Sequence, residues 1–314
     1  MFSFGPVSSR RLGRSLGVNN IPPKICSYSC VYCQLGKTLR LSIERRAYYD
    51  PRDIFKDVVM RVESVVRKGG SIDYITIVPD GEPTLDANLG RLIRVLKELG
   101  IPVAVITNAS LLWMDDVRKD LSEADLVSIK IDSVSKHIWR RVNRPHKLLR
   151  IDDVLEGIKD FSHEFNGLLI SETMLINNID YGDELRRIAS YLGYLKNLRK
   201  AYIAVPTRPP AESWVRPAEE RILVKAYDEF SKVLGEERVE YLIGLEDSNF
   251  TFINEDEEEL IRVASVHPLR EDIIEGFLKR FNRDWSFIEN LVRRGILKVV
   301  SYEGRRYFVR SFTK

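Results

Sequence analysis

Residues 24–36, with the sequence KICSYSCVYCQLG, decide both the fold and the chemistry of this chain. Cys26, Cys30 and Cys33 have the spacing C-x3-C-x2-C and are the only three cysteines among 314 residues. Three thiolates on one loop can bind three irons of a cubane, because thiolate is the usual ligand of iron–sulfur clusters. With no fourth cysteine, one iron keeps an open position, which a catalytic metal site requires.

Structural zinc is the alternative interpretation of these cysteines. A structural zinc site needs four ligands, commonly from two pairs of the C-x2-C type. The sequence has one such pair, and its four histidines lie far away along the chain: His137, His146, His163 and His267. The spacing therefore favours an iron–sulfur cluster.

The composition predicts a folded protein of a reducing compartment. Hydrophobic residues make up 44% of the chain, which is enough for a sizeable core. No run approaches the roughly 18–20 apolar residues that span a bilayer, and the N-terminus has no long apolar stretch behind its charges. An odd number of cysteines within eight positions does not suit a secreted disulfide framework. We expect a cytoplasmic protein with no membrane partner.

Alternating strand and helix patterns predict an α/β fold for residues 1–245. Apolar, β-branched runs predict strands near 14–20 and at 72–79, 102–107, 125–132, 167–176, 200–205 and 238–243. Amphipathic stretches between them include predicted helices at 85–99, 112–122, 182–192 and 216–234. Such repeats imply a parallel sheet with both faces covered. Six units after the first strand are too few for a closed barrel. We predict a partial (β/α)6 TIM-like barrel, with an open doubly wound sheet as the alternative.

The pattern changes near residue 245, and residues 246–314 predict a small winged-helix-like domain. Three short helices at about 256–266, 270–281 and 284–294 precede a hairpin around Glu303 and Gly304. The third helix has a buried face of Trp285, Phe287, Ile288 and Leu291, and the hairpin tip carries Arg305 and Arg306. Contact with nucleic acid is one interpretation of this domain. A docking or dimerisation module is the other.

The charge is concentrated at the two ends of the chain. Residues 1–50 hold eight Lys or Arg against two acids, and residues 270–314 hold eleven against six, although the net charge is only +3. This distribution fits a polyanionic partner that touches both ends. Ordinary solvated surface is the alternative explanation.

The cysteine spacing, with Tyr32 just before the last cysteine and the loop after the first predicted strand, resembles the radical S-adenosylmethionine (SAM) superfamily. Residues 1–245 are similar to its branch of the tRNA wyosine-base synthase but lack three further cysteines of that enzyme's second cluster. The resemblance implies a [4Fe–4S] cluster on Cys26, Cys30 and Cys33, with SAM at the open iron. It further implies reductive cleavage of SAM to a 5′-deoxyadenosyl radical that abstracts hydrogen from a substrate. A one-electron donor such as ferredoxin or flavodoxin is then required, and no side chain acts as a nucleophile.

The SAM contacts that this resemblance implies lie beside the cysteines or at the carboxyl ends of predicted strands. They are Tyr32, Gly81, Glu82, Pro83, Thr107, Asn108, Ser128, Lys130 and Asp132. The superfamily's segment matching Gly81, Glu82 and Pro83 lies along the methionine amino group of SAM. Ser128, Lys130 and Asp132 alternate along one strand and are expected to face its ribose and carboxylate. An ion pair between Lys130 and Asp132 with no ligand is the alternative for that strand.

Basic residues near the cysteine loop are candidates for contact with substrate or SAM. Arg10 and Arg11 precede that loop, and Arg208 lies in the sequence PTRPP, where prolines restrict the backbone. An anchored guanidinium suits a phosphate or a carboxylate, although ordinary surface positions are the alternative. Together with the basic ends, Arg305 and Arg306 and the winged-helix-like domain, the resemblance to the wyosine-synthase branch implies an RNA base, in tRNA, as the substrate. A protein or peptide, as for glycyl-radical activating enzymes, is the second hypothesis, and an iron–sulfur transcription regulator is the third.

Overall fold

The structure is a computed structural model that describes residues 2–243, 252 and 257–311. In chain order its strands are β1 (Ser3–Ser9), β2 (Gly13–Val18), β3 (Ile25–Cys26), β4 (Arg40–Leu41), β5 (Tyr74–Ile77), β6 (Val103–Thr107), β7 (Leu126–Lys130), β8 (Leu168–Met174), β9 (Leu198–Ala204), β10 (Val239–Leu242), β11 (Leu269–Arg270), β12 (Leu297–Tyr302) and β13 (Arg305–Arg310). Its α-helices are α1 (Pro51–Arg67), α2 (Leu89–Lys97), α3 (Asp115–Leu121), α4 (Lys136–Val142), α5 (Ile151–Glu164), α6 (Glu184–Tyr194), α7 (Glu220–Leu234), α8 (Glu257–Val266), α9 (Glu271–Arg280) and α10 (Trp285–Arg293). None of the described helices has the length and apolar character to cross a membrane.

The large sheet confirms the predicted partial barrel. Its eight strands lie in the order β1-β2-β5-β6-β7-β8-β9-β10, and the seven from β2 to β10 are parallel. These strands follow one another in chain order, without the reversal that defines a doubly wound sheet, so that alternative is wrong. The strands β1 and β10 stand at opposite ends of this order, and the barrel is open between them.

The two faces of the sheet differ in what covers them. On one face Val103, Val105, Val127 and Ile129 join the large core that the helices cover. The opposite face carries a much smaller apolar cluster, made of Leu12, Ala104, Leu126, Ile170 and Tyr202. Because parallel strands end at the same edge, the carboxyl ends of β5 to β10 surround one region, where loops supply polar side chains.

Two elements of the barrel were not predicted from the sequence. The helix α1 buries Asp57 and Arg61 among its apolar residues, so apolar residues alone do not mark its core face with a regular helical spacing. The strand β1 is antiparallel to β2 and has an irregular register around Gly5 and Pro6, residues that sequence patterns associate with turns. The helices predicted at 85–99, 112–122, 182–192 and 216–234 all begin later than expected; for example, α2 follows a short 3₁₀ turn at Pro83–Leu85, and α7 begins at Glu220.

The helices and strands of the C-terminal unit, here residues 252 and 257–311, match the predicted positions. The hairpin β12–β13 turns at Glu303 and Gly304, which have φ of 48° and 71°, as a two-residue turn of type I′ requires. The strand β11 adds a third strand beside β13. The core of this unit is a separate apolar cluster that includes Phe277, Leu291 and Phe308. The predicted boundary at residues 245 and 246 lies outside the described residues, and the winged-helix assignment stays a prediction.

A buried ion pair joins the C-terminal unit to the barrel. Arg61 on α1 donates to both carboxylate oxygens of Glu259 on α8, at 3.0 and 2.8 Å. The side chains of Arg61 and Glu259 are 5% and 0% exposed, and Arg262 lies 3.4 Å from the same carboxylate. Removing one member of a buried ionic group is costly, because the remaining charge stays buried without compensation.

We therefore expect Glu259→Gln to lower the free energy of unfolding by about 3 kcal/mol. The matched control is Glu219→Gln, because Glu219 pairs with Arg221 at the surface, where both side chains are well exposed. Exposed pairs contribute about 0–1 kcal/mol, so the control should unfold like the parent in urea. Equal stability of Glu259→Gln and the parent would contradict this account of the docking contact.

Candidate active site

A cavity of about 290 Å³ lies at the carboxyl ends of the barrel strands. One part of its wall comes from the cysteine loop, which contributes Cys26, Cys30, Tyr32, Cys33, Gln34 and Leu35. The remaining wall follows the strand ends and includes Gly81, Glu82, Ile106, Thr107, Asn108, Lys130, Glu172, Met174, Arg208 and Leu242. Arg10 and Arg11, from the turn between β1 and β2, also line it. The cysteines and most predicted cofactor contacts thus share one cavity.

Backbone contacts fix the cysteine loop against the loop after β5. The Glu82 amide donates to the Ile25 carbonyl at 3.1 Å, and the Lys24 amide donates to the Asp80 carbonyl at 2.6 Å. A Cβ atom at Gly81 would lie 1.9 Å from the Ile25 carbonyl oxygen, so this approach is open only to glycine. The neighbouring backbone therefore requires glycine at position 81, which also lines the cavity.

The Glu82 carboxylate joins the loop after β5 to the end of β6. It accepts hydrogen bonds from the amide and hydroxyl of Thr84, the hydroxyl of Thr107 and the amide of Asn108. Burial raises the pKa of Glu82, and these four donors oppose that rise. The carboxylate lines the cavity, but its described contacts make it a positioning group that orients Thr107 and Asn108.

Two side-chain amides approach the cysteine sulfurs. Asn108 Nδ2 lies 3.5 Å from Cys26 Sγ, and Asn143 Nδ2 lies 3.5 Å from Cys30 Sγ. Burial raises the pKa of all three thiols, that of Cys30 to about 12. Binding of iron must therefore displace protons from these thiols, after which the amides can donate to thiolate sulfur. Nothing in the sequence signals Asn143, which lies beyond α4.

Tyr32 and Asp132 form a buried pair beneath the cysteine loop. The Tyr32 hydroxyl donates to Asp132, whose carboxylate also accepts from Asn143 Nδ2 at 2.6 Å and from the Met174 amide at 2.9 Å. Burial raises the pKa of Asp132, although Lys130 and these donors oppose it. Asp132 does not line the cavity, and its contacts hold the tyrosine in place.

Lys130 lines the cavity beside the acidic side chain of Glu172. Lys130 Nζ and Arg11 Nη1 both donate to the Glu172 carboxylate, which lies on β8 in register with Lys130 on β7. Burial opposes the charge on Glu172, but Arg11 and Lys130 lower its pKa to about 2. Lys130 therefore makes its direct ion pair with Glu172. The alternative drawn from the sequence names Asp132 as its partner.

The structure does not bring every predicted site residue to the cavity. Of the residues assigned to SAM, those outside its lining are Pro83, Ser128 and Asp132. Pro83 is buried in the 3₁₀ turn, and Ser128 lies 3.5 Å from Arg11. Arg305 and Arg306 are exposed on the hairpin, where Arg306 pairs with Glu271, so any substrate contact they make lies outside the cavity.

The residues present fit a cluster and a polar organic ligand. Three thiols face one cavity, and each thiolate of a cubane binds its own iron. Among the described residues, no three His, Cys, Asp or Glu side chains converge closely enough to hold a single metal ion. The rest of the lining offers the Thr107 and Asn108 side chains, the Lys130 ammonium and the apolar Ile106, which suit a ligand with charged and aromatic parts.

Comparison with known proteins agrees with this site. The family model of the Radical SAM superfamily matches residues 20–192. The UPF0026 protein of Methanocaldococcus jannaschii is 43% identical over 310 residues, which cover 98% of this chain and 96% of that protein. The UPF0026 protein of Synechocystis sp. is 37% identical over 210 residues, covering 66% of this chain and 76% of that protein.

Solved structures show the same fold. A radical SAM methyltransferase from Sphaerobacter thermophilus matches with a TM-score of 0.55 at 14% identity, covering 72% of this chain and 66% of that one. SuiB of Streptococcus suis, bound to its precursor peptide SuiA, matches with a TM-score of 0.52 at 15% identity, covering 72% of this chain and 48% of SuiB. The family uses a [4Fe–4S] cluster and SAM. The family model matches more than half of the chain, and the relative from Methanocaldococcus jannaschii matches nearly its full length. This chain therefore belongs to the radical SAM superfamily and is an enzyme of that class.

Proposed function

We propose that Cys26, Cys30 and Cys33 hold the cluster and that the cavity beside them binds SAM. The observation that carries this proposal is that the chain's three thiols line one cavity with the ends of the parallel strands. When bound, the cluster and SAM supply a one-electron cleavage of the sulfonium C–S bond, which lets this family remove hydrogen from unreactive carbon. A cytoplasmic ferredoxin or flavodoxin is the proposed electron donor.

The chain's own residues bind and orient in this proposal. Lys130 offers a charged donor for a carboxylate, and Thr107 and Asn108, fixed by Glu82, offer polar groups for the rest of SAM. The apolar residues Ile106, Met174 and Leu242 reduce the water around the reacting groups. No protein nucleophile is needed, because the cofactor carries the difficult step.

The first test is SAM cleavage by anaerobically reconstituted protein with dithionite as reductant. The parent should form 5′-deoxyadenosine, and Cys30→Ala should lower its rate by about 100-fold or more, since ligand loss exceeds the effect of outer contacts. Lys225→Gln, on the exposed face of α7, is the control and should match the parent. A parent that binds iron and yields no 5′-deoxyadenosine would overturn the proposal.

Gly81→Ala tests how the cysteine loop is seated. The added methyl group must displace the Ile25 carbonyl, which should cost about 1–3 kcal/mol and reduce the iron bound after reconstitution. Gly276→Ala is the matched control, because a Cβ atom there meets nothing within 4 Å inside α9, where alanine favours the helix. Iron analysis and urea unfolding measure both effects. Parental iron content and stability in Gly81→Ala would contradict the contact.

We propose an RNA base, in tRNA, as the substrate. Arg10 and Arg11 at the cavity fit a polyanion, and the C-terminal unit carries further exposed basic residues: Arg293, Arg294, Lys298, Arg305 and Arg306. Phosphate contacts of this kind position a nucleic acid without reading its sequence. The winged-helix-like assignment of the C-terminal unit belongs to this proposal.

The RNA proposal is tested by binding of total tRNA at several salt concentrations. Binding should weaken with salt, and Arg305→Gln with Arg306→Gln should reduce the steepness of that dependence by about one to two units. The control is Lys232→Gln, which removes one positive charge from an exposed position on α7 and should leave the salt dependence unchanged. Absent or salt-independent binding would contradict the RNA proposal. A stoichiometric polypeptide partner would favour the second hypothesis, a protein or peptide substrate. This hypothesis is also supported by a 28% identical relative in Methanocaldococcus jannaschii, a putative glycyl-radical enzyme activating enzyme.

A further inference from the structure

The segment that follows β9 forms a wall of the cavity and also contacts the C-terminal unit. Pro206, Thr207 and Arg208 line the cavity. The Tyr302 hydroxyl donates to the Pro206 carbonyl at 3.0 Å, and the Tyr307 hydroxyl donates to the Thr207 carbonyl at 3.0 Å. Both tyrosines lie in the C-terminal hairpin and are buried. The C-terminal sheet therefore holds the backbone of this wall.

The Arg208 guanidinium contacts two different parts of the chain. Its Nη1 donates to Gln34 Oε1 at 2.6 Å, and its Nη2 lies 2.9 Å from His267 Nε2. Gln34 directly follows Cys33, whereas His267 lies between α8 and β11 in the C-terminal unit. One side chain thus connects the end of the cysteine loop with the C-terminal unit.

The protonation of His267 suits this connection. Burial lowers its pKa well below the usual value, and the positive charges of Arg208 and Arg270 lower it further. The ring is therefore neutral near pH 7, and Nε2 can accept the hydrogen bond that Arg208 donates. A protonated ring would have no acceptor for that bond and would repel the guanidinium.

The same segment contacts the cysteine loop at a second place. The Glu212 amide donates to the Val31 carbonyl at 3.0 Å, between Cys30 and Tyr32. The Glu212 carboxylate pairs with Arg144 and with Lys37, which lies 3.3 Å away on the far side of the cysteine loop. Prolines on both sides of Arg208 restrict its backbone, so a displacement of the segment is transmitted to the loop.

We propose that Arg208 is a positioning residue that couples the C-terminal unit to the cysteine loop. By bridging Gln34 and His267, it keeps the Cys33 side of the cluster closed to solvent. The C-terminal unit is then a part of the active-site architecture. This inference rests on the proposed cluster site, because it assigns Arg208 a role toward the group that Cys33 would hold.

The geometry requires arginine rather than a simple cation. A guanidinium presents donors on two nitrogens of a fixed planar fork, so Nη1 binds Gln34 while Nη2 meets His267, whereas the three donors of lysine share one nitrogen on a flexible stem and do not fix this bridge. Arg208→Lys therefore keeps the charge and loses the bridge. A role limited to attracting an anionic substrate would be largely preserved in this variant.

The test uses the full chain with its cluster, reconstituted anaerobically. Loss of the cluster in air is followed by its visible absorbance, and its midpoint potential is measured by EPR-monitored titration. Arg208→Lys and His267→Leu should each lose the cluster about tenfold faster than the parent, because a charge-assisted hydrogen bond that closes the site is missing. Both should also shift the potential in the same direction.

The double variant separates coupling from two independent effects. If one bridge carries both contributions, Arg208→Lys with His267→Leu should lose the cluster no faster than either single variant. Tyr307→Phe, which removes only a hydroxyl, should show a weaker form of the same change. This variant keeps the inference testable if His267→Leu folds poorly. Arg221→Gln, an exposed arginine on α7, is the control and should behave like the parent.

The outcomes distinguish this inference from the proposed function. Parental cluster lifetimes and potentials in Arg208→Lys and Tyr307→Phe would overturn the inference and leave the cluster proposal intact. The inference would also be overturned if the two single-variant effects on the rate of cluster loss multiplied in the double variant, since the two residues would then act separately. A parent that binds no iron and sulfide after reconstitution would overturn both.

Discussion

The close contact between the cysteine loop and the loop after β5 is the constraint on which the site depends. The Ile25 carbonyl occupies the space where any residue other than glycine at position 81 would place its Cβ atom. That approach allows the Glu82 amide to donate to Ile25 and thereby turns the Glu82 carboxylate toward Thr107 and Asn108. Asn108 in turn reaches Cys26 Sγ. Backbone packing at one glycine is thus linked, through one buried carboxylate, to the surroundings of a cysteine sulfur.

The barrel explains why these distant residues meet. Its seven parallel strands end at one edge, and most side chains that line the cavity come from the ends of successive strands or from the loops that follow them, joined by Arg10 and Arg11 from the turn before β2. The alternating side chains of each strand separate a helix-covered core from an inner face with few apolar residues. The open barrel leaves room for the C-terminal unit, whose buried ion pair with α1 and whose tyrosine contacts with the segment after β9 fix it beside the cavity.

The sequence predicts the parts of this arrangement that local patterns encode. Continuous apolar runs locate the parallel strands, and the cysteine spacing identifies the chemistry, because both depend on residues close together in the chain. The helix α1 escapes prediction because its core face includes Asp57 and Arg61, whose partners lie elsewhere in the fold. The contact of Glu172 with Arg11 and Lys130 depends on the register of β7 and β8. Asn143 and the bridge from Arg208 to His267 depend on tertiary contacts that no spacing reveals.

The central claim is that three cysteines hold a cubane whose fourth iron is free to bind SAM. Mössbauer spectroscopy of anaerobically prepared, iron-57-enriched protein, with and without SAM, tests this claim most directly. The account predicts about four irons per chain in a [4Fe–4S] cluster, with one iron site whose signal changes when SAM is added. About one zinc per chain with no bound iron, or a cluster in which SAM alters no iron site, would contradict it.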